Sequence, residues 1–148
     1  MTNLNTYTIK NTNNQVIFSG QFNSFKECIE TAVERKINLE SAYLESAYLE
    51  GANLEGANLE GANLSYANLY KCNLESANLK GANLENSNLE HANLENADLY
   101  KCNLESANLQ DAVLENAYLQ NANLEGAELY KCNLEHANLE HANLMLPI

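Results

Sequence analysis

The sequence predicts an all-β solenoid preceded by a small ββα segment. Three observations predict it. Leucine recurs every five residues from Leu39 to Leu144, twenty-two times without a slip. The residue two before each leucine is small, Ala in seventeen repeats, Cys in three and Ser87 once, with Ile37 the exception. Asn stands between the two in sixteen repeats. At about 100° per residue a period of five would scatter leucine around a helix axis. In an extended triplet, alternation turns Ala and Leu to one side and Asn to the other.

Residues 1–36 differ from the repeats and read as a ββα capping segment. Tyr7–Lys10 and Gln15–Phe18 are short strand patterns joined by an Asn13-Asn14 turn, and Gly20 ends the second strand. Ser24 and Glu27 have capping-box spacing, each side chain able to accept the other's free backbone N–H. Phe25, Cys28, Ile29, Ala32 and Val33 then line one face of a helix that ends near Lys36.

Residues 37–146 are the repeat solenoid, and residues 147–148 a short tail. Each inward Ala-Asn-Leu triplet is a minimal strand, and the two remaining residues must turn the chain. A type II turn needs positive φ at its second central residue. Gly51, Gly56, Gly61, Gly81, Gly126, Asn86, Asn96, Asn116 and Asn121 suit that place, whereas Lys71, Lys101 and Lys131 predict a different turn type. One coil buries too little to stand alone, so coils must stack about 4.8 Å apart around a shared Leu/Ala core. Met145, Leu146, Pro147 and Ile148 are apolar. Either they fold over the open end or two chains meet there as a homodimer through the C-terminal coils.

Net charge is −12, and it is divided unevenly. Residues 1–36 carry four cations against three Glu, whereas residues 37–148 carry four Lys against fifteen Glu and two Asp. Such a surface disfavours direct nucleic-acid binding, which needs Lys and Arg to neutralise phosphates. It suits a protein partner with a basic groove. The polar N-terminus shows no signal peptide and no stretch is apolar enough to span a membrane, so a cytoplasmic location is expected.

Ala52-Asn53-Leu54-Glu55-Gly56 and its successors resemble the pentapeptide-repeat family, whose pattern is a small residue, Asn or Asp, Leu, then two variable positions. The resemblance covers about three quarters of the chain. It implies a right-handed quadrilateral β-helix with four faces and twenty residues per coil. That makes about 5.5 coils, a rod of roughly 26 Å. Tyr-Lys-Cys-Asn-Leu recurs at 70–74, 100–104 and 130–134. Its spacing of thirty is one and a half such coils and reads as a record of duplication. The resemblance points to a non-enzymatic scaffold or protein-interaction module. The alternative is an acidic DNA mimic acting on DNA gyrase or topoisomerase IV, as some members do. This run lacks the loops that interrupt the repeats of the quinolone-protection members.

With twenty residues per coil, Glu55, Glu75, Glu95, Glu115 and Glu135 stack into one column, the candidate partner-binding acidic stripe. Glu85, Glu105 and Glu125 stack on a neighbouring face, and the carboxylates are expected to splay into water. Tyr43, Tyr48, Tyr66, Tyr70, Tyr100, Tyr118 and Tyr130 point outward. Cys72, Cys102 and Cys132 take the inward small position as core fillers, Cys72 and Cys132 roughly 14 Å apart. That is too far for a disulfide or a shared zinc ion. His91, His136 and His141 fall on three different faces. No catalytic set, phosphate loop, metal motif or cofactor motif is expected in this interior.

Overall fold

In the computed structural model, residues 4–145 are described. Leu146, Pro147 and Ile148 lie outside them, and with these residues the expectation that the tail folds over the open end. The repeats form a β-helix in which bridges join residues twenty apart, from Tyr43↔Asn63 to Asn123↔Asn143, all parallel. Four pentapeptides therefore complete one coil, and the thirty-residue motif spacing sets no coil length of its own.

One repeat shows why the sequence takes this path. The five N–H groups of Cys72–Ser76 all have acceptors. Cys72 donates to Leu69 O (2.9 Å) across the corner, and Asn73 donates to Ala52 O (2.9 Å) in the coil before. Leu74 donates to Asn93 O (2.7 Å) and Ser76 to Glu95 O (2.9 Å) in the coil after. Glu75 N–H has no coil to reach, and the Asn73 side chain accepts it through Oδ1 (3.1 Å). Asn is thus the residue that completes the backbone account, which buried or half-buried peptide groups require. Its amide also bonds along the column, as Asn93 Nδ2 does to Asn73 Oδ1 (3.3 Å).

Val113 breaks that pattern. It bridges Asn93 and Asn133, and with no side-chain acceptor it cannot serve Glu115 N–H. Replacing Val113 with Asn restores an acceptor for Glu115 N–H and a donor toward Glu95. The gain expected is about 1 kcal/mol, measured as a rise in urea midpoint; a fall in midpoint would show that the valine methyls matter more.

Every corner residue has positive φ, Gly56 at 65° and Asn96 at 58° as expected. Lys71, Lys101 and Lys131 have φ of 56°, 56° and 55°, so the expectation of a different turn there is wrong. At all three a backbone bond closes the corner, Cys72, Cys102 and Cys132 N–H donating to Leu69, Leu99 and Leu129 O (2.9, 3.0 and 3.1 Å), and this turn holds the left-handed conformation whatever the side chain. The cost for a non-glycine residue is about 1–2 kcal/mol. Each lysine recovers part of it by laying its ammonium over the preceding tyrosine ring, 4.9 Å from Tyr70 and 5.1 Å from both Tyr100 and Tyr130.

The interior is a stack of Leu and Ala, buried from Leu39 to Ala127 except at the half-buried Ala47. Cys72 and Cys102 fill Ala positions, their thiols donating to Ala52 O (3.1 Å) and Ala82 O (3.2 Å). Ser87 does the same by donating to Leu84 O (2.7 Å).

Ahead of the coils, β1 (Asn5–Lys10) pairs antiparallel with β2 (Val16–Phe22), and α1 spans Phe25–Glu34. Asn14 at φ 65° turns the hairpin. Gly20 does not end β2, which runs on to Phe22. Gly20 pairs with Tyr7, and a Cβ there would lie 2.7 Å from the Phe22 ring, so the glycine makes room for that ring. Ser24 Oγ accepts Glu27 N–H (3.1 Å), but the Glu27 carboxylate takes the N–H of Asn23, not of Ser24 (2.8 Å). Cys28, Ile29 and Ala32 bury one helix face against the first coil. Where that coil has no predecessor, this segment supplies partners. Lys10 O accepts Tyr43 N–H (2.7 Å), Glu30 Oε1 accepts Asn53 N–H (2.9 Å), and Lys26 Nζ donates to Glu50 O (3.0 Å).

Candidate partner-binding columns

The residue after each leucine and the corner residue beyond it project from four corners per coil, so twenty-residue stacking turns them into four columns. The backbone places the five stripe glutamates in one of these. Gly56, Ser76, Asn96 and Asn116 N–H donate to the carbonyls of Glu75, Glu95, Glu115 and Glu135 at 2.8–2.9 Å. Glu85, Glu105 and Glu125 form a second column, but not on a neighbouring face. Each lies ten residues from a stripe glutamate, half of the twenty-residue coil, and therefore at the diagonally opposite corner.

The stripe carboxylates do not all splay into water. Glu75, Glu95 and Glu115 are half-buried, while Glu55 and Glu135 are exposed. Asn73, Asn93 and Asn133, each in the following coil, donate their amides to Glu55, Glu75 and Glu115 at 3.3, 3.3 and 3.4 Å. Glu95 faces Val113 and instead accepts from its neighbour Asn96 (3.4 Å). Coil-to-coil latches of this kind hold negative charge in register, which free side chains at this spacing would resist. Elsewhere the latch is inverted: Lys80 replaces Glu and Asp98 replaces Asn, and the two form an ion pair at 3.1 Å.

From residue 37 onward, Lys residues are confined to the other two corners. Lys80 and Lys101 occupy one, and Lys71 and Lys131 the diagonal one. From residue 37 onward the stripe corner carries no Lys or Arg, and its one basic side chain is His136, whose Nε2 lies 3.4 Å from Glu135; Lys36, in the same register, lines a cavity with Glu55 and Gly56 where α1 joins the coils. His91 and His141 sit beside Glu90 and Glu140 on different corners, so the three histidines are not brought together. Among the described residues no group of three His, Cys, Asp or Glu could hold a metal ion. No described helix is long and apolar enough to cross a membrane.

The outward tyrosines are spread over the rod. Tyr43, Tyr48 and Tyr66 gather around one corner of the first coils, each more than half exposed. Tyr43 and Tyr48 hydroxyls donate to Glu45 (2.9 Å) and Glu50 (2.6 Å), and that bond to a carboxylate raises both phenol pKa values. Sequence reasoning found the columns but missed both the latches and the diagonal separation of charge. The signal was present: Glu is followed by Asn eighteen residues later at eight of these latches, a relation visible only once the coil length is known.

Residues 52–129 match the family described as "Pentapeptide repeat region". Among solved structures, a pentapeptide repeat protein from the Arabidopsis thaliana thylakoid lumen is 26% identical, covering 68% of this chain and 67% of that one, with a TM-score of 0.51. A pentapeptide repeat protein from Nostoc PCC 7120 is 32% identical over 76% of this chain and 71% of its own, with a TM-score of 0.41. HetL, involved in heterocyst differentiation regulation in Nostoc sp. strain PCC 7120, is 36% identical with a TM-score of 0.35. The match covers 74% of this chain but only 56% of HetL. No curated protein sequence matches.

Proposed function

The chain belongs to the pentapeptide-repeat family, and on that premise we propose that it is a non-enzymatic scaffold whose acidic columns bind a basic protein surface. In this reading the rod is a right-handed quadrilateral β-helix of about 5.5 coils, and residues 1–36 cap its N-terminal end. The observation that carries the proposal is the stripe of Glu55, Glu75, Glu95, Glu115 and Glu135, a corner with no Lys or Arg from residue 37 onward, in which the Glu55, Glu75 and Glu115 carboxylates are latched in place. Pre-positioned charge of one sign steers a complementary partner and costs little ordering on contact. A second contact is self-association through the C-terminal coils, supported by Leu134 and Leu139, which are half-exposed where their upstream counterparts are buried.

The test replaces all five stripe glutamates with Gln. Gln keeps an oxygen that accepts the Asn amide, so the latches survive while the charge is lost. Affinity capture from the host's lysate should recover a partner with the native protein, lose it with the Gln variant, and lose it with the native protein at high salt. An unchanged set of captured proteins would reject the stripe.

A further inference from the structure

Two cavities lie side by side where α1 passes the first coils. One, of about 460 Å³, is lined by Val33, Glu34, Lys36, Ile37, Glu55, Gly56 and Ala57 among others. The other, of about 370 Å³, shares Val33, Glu34 and Glu55 with it and adds Glu30 and Asn53. Together they make one groove along the C-terminal half of α1. Its floor is apolar and firm, because Val33 and Ile37 pack against the buried core and Ala57 belongs to it. At Gly56 the floor is also open: an added Cβ would meet nothing within 4 Å.

The rim is acidic. Glu30 is held by Asn53 N–H (2.9 Å), Glu55 by the Asn73 amide (3.3 Å), and Glu34 is exposed between them. Lys36 is the one cation lining either cavity. Glu55 is also the first member of the stripe, so the groove opens directly onto the column of Glu75, Glu95 and Glu115.

From this we infer that the groove is the anchor site for an extended basic peptide segment. One Leu-sized apolar side chain seats over Val33, Ile37 and Ala57, and flanking Lys or Arg residues meet Glu30, Glu34 and Glu55. The volume is in the range of sites that take small ligands, ample for one such side chain. Charge complementarity excludes an acidic partner, and the apolar floor distinguishes this segment from an unselective polycation. Cations beyond the anchor continue up the column, and that part alone rests on the scaffold reading above. An apolar anchor in a pocket with charges at its rim is the arrangement in which a few residues supply most of the affinity.

The experiment uses the full chain and two fluorescein-labelled hexapeptides, Lys-Arg-Leu-Arg-Lys-Lys and the same peptide with Ser in place of Leu, followed by fluorescence anisotropy. The Leu peptide is expected to bind at least fivefold more tightly than the Ser peptide. Glu34→Lys, on the exposed side of α1, should weaken both at least fivefold. Val33→Thr, nearly isosteric, should remove the Leu preference, with circular dichroism checking that each variant is folded. Equal affinity for the two peptides, or indifference to Glu34→Lys, would overturn the groove. The double variant Glu95→Gln/Glu115→Gln reports on the column separately. It should weaken both peptides alike and leave the Leu preference intact. No effect of that variant beside a persisting Leu preference would overturn the column and leave the groove standing; no binding of either peptide would overturn both.

Discussion

Leu94→Ala is expected to destabilise the protein by about 3 kcal/mol, and Leu139→Ala by about 1 kcal/mol or less. Both remove the same atoms from the same inward position of a repeat. Leu94 is fully buried, and the peptide groups around it are tied in both directions, Leu94 N–H to Val113 O (2.7 Å) and Leu74 N–H to Asn93 O (2.7 Å). The coil therefore cannot collapse into the cavity without breaking its ladder. Leu139 is half-exposed and has a described coil on one side alone, so its cavity opens to water and its burial was incomplete. For a chain of this size the larger loss lowers Tm by on the order of 10 °C. Paired thermal and urea melts measure the difference. Similar losses at both positions would show that stability is pooled along the rod; the expectation instead follows from contacts that reach only the neighbouring coils.

The inward set of Leu and small residues was legible because alternation acts within three residues and the five-residue period never slips. Twenty residues per coil was not legible from the period itself. It entered through a family resemblance, and the bridges at that spacing now show it. What failed at Lys71, Lys101 and Lys131 was reading corners one at a time by intrinsic preference, when a backbone hydrogen bond closing each turn, from Cys72, Cys102 and Cys132 N–H to Leu69, Leu99 and Leu129 O, decides the conformation there. The same limit hid the latches, since Asn93 and Glu75 meet only when coils are stacked. Gly20 was misread because a glycine in a strand can mark either an end or a ring lying across it, and the Phe22 ring is two residues away. The groove was beyond reach: both halves were legible as elements, but where α1 lies against the coils depends on packing between residues far apart in the chain.

The buried thiols make a second large effect, a specific lability to alkali. Burial pushes Cys72 up from an ordinary value of 9.0 to about 12, with Glu30 adding to the rise, and burial raises Cys102 as well. Both thiols donate to carbonyls of the preceding coil, so ionisation would remove a hydrogen bond and leave a charge in an apolar stack. The folded state thus holds these protons more tightly than the unfolded chain does. A raised folded pKa means that the contribution is complete below about pH 9 and is lost as pH climbs toward 12. Across that window each thiol costs about 1.4 kcal/mol per pH unit, so two of them lower stability by several kcal/mol between pH 9 and pH 11. Lysine and tyrosine ionisation act in the same range, and the comparison that isolates the thiols is Cys72→Ala/Cys102→Ala. Alanine is what seventeen other repeats carry at this position, so the variant should fold as well at pH 7. Urea midpoints at pH 7, 9, 10 and 11 should fall less steeply for the variant above pH 9, the two curves diverging with pH. Parallel curves would mean that the thiols ionise as readily in the folded rod as in the unfolded chain, and that its interior is wetter than a Leu/Ala stack of this burial allows.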